Sequence, residues 1–116
     1  MDPLRAAWPQ HFGLTTCPAD RLEQALPAAA WGVAVISGPG ESGDLVYLVI
    51  ESRAGSLLSQ CQRRLQSGKL PAVATLSVAF KAEVLEAPSP EAVQAACRQQ
   101  VLLASELRRG LRPAMR

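Results

Sequence analysis

A chain of 116 residues with 48% apolar and 19% charged side chains is of single-domain size and can bury a core, which excludes a disordered polymer. Its longest apolar run, Ala72 to Phe80 with Thr75 and Ser77 included, is far short of the ~20 residues that cross a bilayer. The net charge of +2 hides a split, since residues 1–52 sum to −4 and residues 53–116 to +6, with ten arginines against two lysines.

Residues 1–16 hold Pro3, Pro9 and Gly13 and read as an irregular lead-in, ahead of one α/β domain over 17–116. Asp20 to Leu26 is a short helix set between Pro18 and Pro27, with Leu22, Ala25 and Leu26 as its apolar stripe. Trp31 to Ser37 is a strand by its β-branched content, and the glycine-rich stretch Gly38 to Gly43 has to turn. Leu45 to Ile50 is apolar throughout, the mark of a strand covered on both faces, and is expected at the centre of the sheet. The two strands form an antiparallel hairpin.

Ser56 to Gly68 is a helix with Ser56 as N-cap, Leu57, Leu58, Cys61 and Leu65 at helical spacing, and Gly68 as terminator. From Ala72 to Val84 apolar residues fill the even positions, while Thr75, Ser77, Lys81 and Glu83 stand at odd ones. That period of two predicts a long strand with one buried face. Ser89-Pro90-Glu91 opens a last helix, with a capping serine, a proline at the first helical position and an acid in the first turn. Val93, Cys97, Val101, Ala104, Leu107 and Leu111 form its stripe, and Gly110 marks its end. The expected fold is α+β: a small mixed or antiparallel three-stranded sheet, a hairpin plus one strand, flanked by helices in the order αββαβα.

Cys17, Cys61 and Cys97 lie 44 and 36 residues apart with one histidine, His11, and no CxxC or HxxxH pair, so neither a metal site nor a cofactor is expected. The N-terminus opens Met-Asp-Pro-Leu-Arg without a following apolar segment, unlike a signal peptide. A cytoplasmic protein with reduced, structural thiols and no membrane association is the expectation.

The element order and the residues at its joints resemble the GIY-YIG nuclease superfamily. Gly32-Val33-Ala34 stands where that family's first motif falls, and Tyr47-Leu48-Val49 stands at the second. Arg63-Arg64-Leu65 is similar to the arginine-leucine pair of the family's next helix. Val84 to Ala92 resembles its third-strand exit and helix start, and Arg112-Pro113 its proline-bearing end. The resemblance covers roughly residues 30–116 and implies a hairpin–helix–strand–helix fold and metal-assisted phosphodiester hydrolysis. The departures remove that chemistry. Ala34 replaces the first tyrosine, Val49 replaces a motif glycine, and no carboxylate lies between Glu91 and Glu106, where the resemblance implies a metal-binding glutamate. Ala95, Ala96 and Cys97 fill that stretch, and a methyl or thiol cannot replace a hard oxygen ligand.

The glycine-rich stretch lacks the lysine-serine pair of a phosphate loop and runs into a strand, not a helix. His11 and Cys17 have no spacing that selects a nucleophile–base pair. The expected function is a non-catalytic binding or assembly module, with a protein partner or self-association, and Trp8 and Phe12 either as apolar anchors for it or folded back over the sheet. The alternative is a nucleic-acid-binding or residual nuclease domain, with Arg63, Arg64, Arg108, Arg109 and Arg112 on phosphates and Tyr47 near the scissile position. Convergence of those arginines beside Tyr47 would favour the alternative, and their scatter would weaken it.

Overall fold

The computed structural model of the chain describes residues 8–40, 43–52, 56–84 and 89–114. Pro3, residues 41–42 of the glycine-rich stretch and residues 85–88 of the strand exit lie outside them. In chain order the elements are α1 (Trp8–His11), β1 (Thr15–Pro18), a 3-10 turn (Ala19–Arg21), α2 (Leu22–Ala25), β2 (Trp31–Gly40), β3 (Gly43–Glu51), α3 (Leu57–Leu65), a 3-10 turn (Val73–Thr75), β4 (Ser77–Glu83) and α4 (Pro90–Leu111). The fold is α+β, and its sheet is wholly antiparallel in the order β1-β4-β2-β3.

The sheet has four strands, not three. The fourth, β1, straddles the boundary between the expected irregular lead-in and the domain, and pairs Thr15 with Phe80 and Cys17 with Val78. The long alternation from Ala72 is only partly strand. Val73–Thr75 is a 3-10 turn, and extended pairing starts at Ser77. The hairpin also runs further than expected, with Gly40 still paired to Gly43, and a bulge at Ile36/Ser37 leaves Tyr47 as the additional residue of β3.

β3 is an edge strand, although its continuous apolar run suggests a central one. Both its faces are nevertheless covered. Leu48 and Ile50 join one core with Leu57, Leu58 and Cys61 of α3, whereas Val49 joins a second with Ala104 and Leu107 of α4. Layering, not position in the sheet, sets the apolar content. The outer edge is closed by the chain's end: Ala114 N–H donates to the Val46 carbonyl at 3.0 Å, and Arg108 Nη2 donates to the Val49 carbonyl at 3.2 Å. Such contacts keep an edge from pairing with other strands.

The long helices start as their caps dictate. Ser56 Oγ accepts from Ser59 N–H and Ser89 Oγ accepts from Ala92 N–H, each at 3.2 Å. α4 ends one residue beyond the expected glycine. Gly110 stays helical beneath Phe12, and Arg112 takes the left-handed cap conformation at φ 49° ahead of Pro113, which cannot continue a helix. The buried stripe of α4 runs through Ala96, Gln100, Ala104 and Leu107. It bypasses Val101, which is 39% exposed, and Cys97 is half-buried.

Gly32 is fixed by a close crossing of β2 and β4. A Cβ there would stand 2.0 Å from the Lys81 carbonyl oxygen and 2.7 Å from Ala82 Cα. Its N–H donates to the buried Ser52 hydroxyl at 2.9 Å, and its carbonyl accepts from Ser52 N–H at 3.0 Å. Ser52 thereby pins the exit of β3 to the start of β2.

Candidate functional site

The two cores divide the candidate residues. α3 covers one face of the sheet with Leu57, Leu58 and Cys61, and α4 covers the other with Ala104 and Leu107. Arg63 and Arg64, exposed on α3, therefore lie on the opposite side from Arg108, Arg109 and Arg112 at the end of α4. The five arginines do not converge. Arg108 is further engaged with its own sheet, through the Val49 carbonyl and an ion pair to Glu51 at 3.9 Å.

Tyr47 packs half-buried against the α3-side core, and its hydroxyl donates to the Pro39 carbonyl across the hairpin. That bond braces the bulged end of the hairpin. Trp8 and Phe12 are half-buried and fold back on the α4-side core, where Phe12 Cζ comes within 3.6 Å of the Cβ position at Gly110. His11 is exposed and meets Phe12 edge-on, ring centroids 5.1 Å apart. Ala34 is fully buried. Among the described residues no group of three or more His, Cys, Asp and Glu side chains is placed to hold a metal ion, and no helix is long and apolar enough to cross a membrane.

None of Cys17, Cys61 and Cys97 is in a disulfide. Cys61, fully enclosed between α3 and the sheet, has its pKa pushed up from 9.0 to about 12, first by burial and then by the nearby Cys17. Above pH 9 the unfolded thiol loses its proton while the native one keeps it, so alkali favours unfolding. Stability is expected to fall as pH rises from 9 towards 12, by on the order of 1 kcal/mol at pH 10. Denaturant midpoints at neutral pH and at pH 10 measure this, and Cys61→Ala flattens the decline.

The feature missed at the sequence level is a cleft of about 430 Å³ between the sheet and the N-terminal half of α4. Trp31, Lys81 and Glu83 line it from the sheet, and Ala96, Gln99 and Gln100 from the helix. Pairing places Trp31 opposite Glu83 and Val33 opposite Lys81. Beside Leu103 the helix side carries Ala96 and Gln100, on the stripe that further along carries Leu107, and the small Ala96 leaves space between the layers. Gln100 is only 6% exposed, and among the described residues neither its amide oxygen nor its amide nitrogen has a hydrogen-bond partner. An unpaired buried amide costs roughly 1–3 kcal/mol per group. The signal for it was its spacing: Gln100 lies four residues before Ala104 and seven before Leu107, a polar residue on the buried stripe.

Comparison with family models, with curated proteins and with solved structures returned no match.

Proposed function

We propose that this chain is a non-catalytic assembly module on a GIY-YIG-like frame, and that it associates with a second copy of itself through the outer face of α4. The observation that carries this is the sequence of exposed residues on that helix. Glu91, Ala95, Arg98, Leu102, Ser105 and Arg109 recur at alternating four- and three-residue steps, and every one is exposed. Leu102, at 66% exposure, sits near the middle of Pro90–Leu111. Two copies crossing antiparallel there set leucine against leucine and let the small Ala95 and Ser105 admit close approach. The same crossing brings Arg98 beside Glu106 of the second copy, and Glu91 near Arg109 and Arg112. A two-fold interface has to be self-complementary in this way.

The order of hairpin, helix, strand and long helix from Trp31 onward supports the GIY-YIG-like frame. Alanine at positions 34, 95 and 96 supports the loss of hydrolysis, since no oxygen or hydroxyl stands there to hold a metal or activate water. The separation of Arg63 and Arg64 from the α4 arginines weighs against a single phosphate-binding face. Three cysteines outside any disulfide suit a reducing, cytoplasmic setting.

Sedimentation velocity tests the assembly. The native chain is expected to shift from monomer to dimer with rising concentration, while Leu102→Arg stays monomeric at unchanged melting temperature. A native chain that stays monomeric overturns the self-association. Magnesium-dependent cleavage of plasmid DNA overturns the non-catalytic assignment.

A further inference from the structure

We infer that the cleft between α4 and the β2–β4 end of the sheet binds a neutral adenine group, with the ring against Trp31 and its donor–acceptor edge on Gln100.

The amide of Gln100 is the first argument. It is only 6% exposed, it forms part of the cleft wall, and both its polar atoms lack partners among the described residues. A carboxamide offers one acceptor beside two donors. Its matching ligand presents a donor and an acceptor side by side, and adenine does so with its exocyclic amine and the adjacent ring nitrogen, the edge a glutamine amide pairs with in two hydrogen bonds. The outer torsion of a glutamine is broad, so the amide plane can turn to meet a ring in the cleft without moving the helix.

The remaining wall fits the same ligand. Trp31 is half-buried at the cleft and supplies an aromatic face on which a base can stack. The cleft volume of about 430 Å³ lies in the range of small-molecule sites. Lys81 and Glu83 stand on the same sheet face, two residues apart on β4, and cancel each other's charge. A site built for phosphate would be net positive. This one suits an uncharged base or nucleoside, or a base presented by a single strand whose phosphates stay outside. A peptide backbone also offers a donor and an acceptor, but it has no use for the flat face of Trp31.

Gln100 faces the sheet and takes no part in the outer face of α4, so this site stands apart from the self-association. The chain has two tryptophans, and Trp8→Phe leaves Trp31 as the sole reporter. Titrating that variant with adenosine is expected to change Trp31 emission saturably. Gln100→Leu in the same background is expected to weaken binding roughly tenfold or more, by loss of the bidentate pair, while the protein melts no lower than its parent. Gln100→Glu keeps the shape, loses the amide donors and should weaken binding as well. An oligo-dA strand distinguishes the sources. Binding no tighter per base than adenosine assigns the cleft to the free nucleoside, and tighter, salt-sensitive binding that still needs Gln100 assigns it to a base in a strand. No saturable change at millimolar adenosine, a change that Gln100→Leu leaves intact, or occupation of the cleft by a peptide instead overturns the inference.

Discussion

Gly32→Ala is expected to destabilise the fold by about 3 kcal/mol or more, at the upper end of the range for overpacking. The added methyl would meet backbone on both counts, the Lys81 carbonyl oxygen at 2.0 Å and Ala82 Cα at 2.7 Å. Neither can rotate away as a side chain would. Relief requires β2 and β4 to separate at the Gly32–Ala82 pair, while the two hydrogen bonds that Gly32 exchanges with Ser52 on its β3 side resist a shift of Gly32. Urea denaturation of the purified variant checks this, as a lowered midpoint or as failure to fold. Gly38→Ala provides a scale. Its nearest neighbour would be the Cδ2 methyl of Leu76 at 2.7 Å, the end of a side chain that can move, so the loss there is expected to be smaller.

Leu107→Ala is expected to cost about 2–5 kcal/mol, the range for a large-to-small change in a closed core. Leu107 is fully buried where α4 meets the sheet, in one cluster with Val33, Val35, Val49 and Ala104. Alanine there leaves a hole that a helix capped at Ser89 and tied to β3 by Arg108 cannot close by sliding. The loss shows as a lower thermal midpoint with the far-ultraviolet spectrum of the folded state kept at low temperature. Because α4 carries the proposed contact face on one side and the cleft wall on the other, a partly melted variant should weaken both functions together. Leu102→Arg and Gln100→Leu are expected to affect one each.

Much of this architecture can be read from local signals. The serine caps at positions 56 and 89, the proline at 90 and the alternation through β4 each act within a few residues, and α3, α4 and most of β4 follow from them. What escapes is set by distant pairing. β1 is four residues long, two of them threonine, and becomes a strand only because β4, some sixty residues later, offers it an edge. β3 reads as central since helices cover both its faces, and nothing in its own residues shows that Arg108 and Ala114 close its free edge.

The candidate residues divide in the same way. Arg63, Arg64 and the α4 arginines look alike in the sequence, and only the layering sends them to opposite faces of the sheet. Trp8 and Phe12 suit either partner anchoring or folding back over the sheet by sequence, and both pack against the α4-side core. Gln100 was legible in principle, as a polar residue on an apolar stripe. Cys97 and Val101 are more apolar than Ala96 and Gln100, so composition alone turns the stripe by one residue along α4 and away from Gln100.

The most direct test of the assembly is a charge exchange across the proposed two-fold axis, followed by sedimentation equilibrium. Arg98→Glu alone sets two carboxylates together and should abolish the dimer. Arg98→Glu combined with Glu106→Arg restores opposite charges and should recover it. A double variant as monomeric as the single one, or an Arg98→Glu dimer as strong as the native chain's, would contradict pairing through α4.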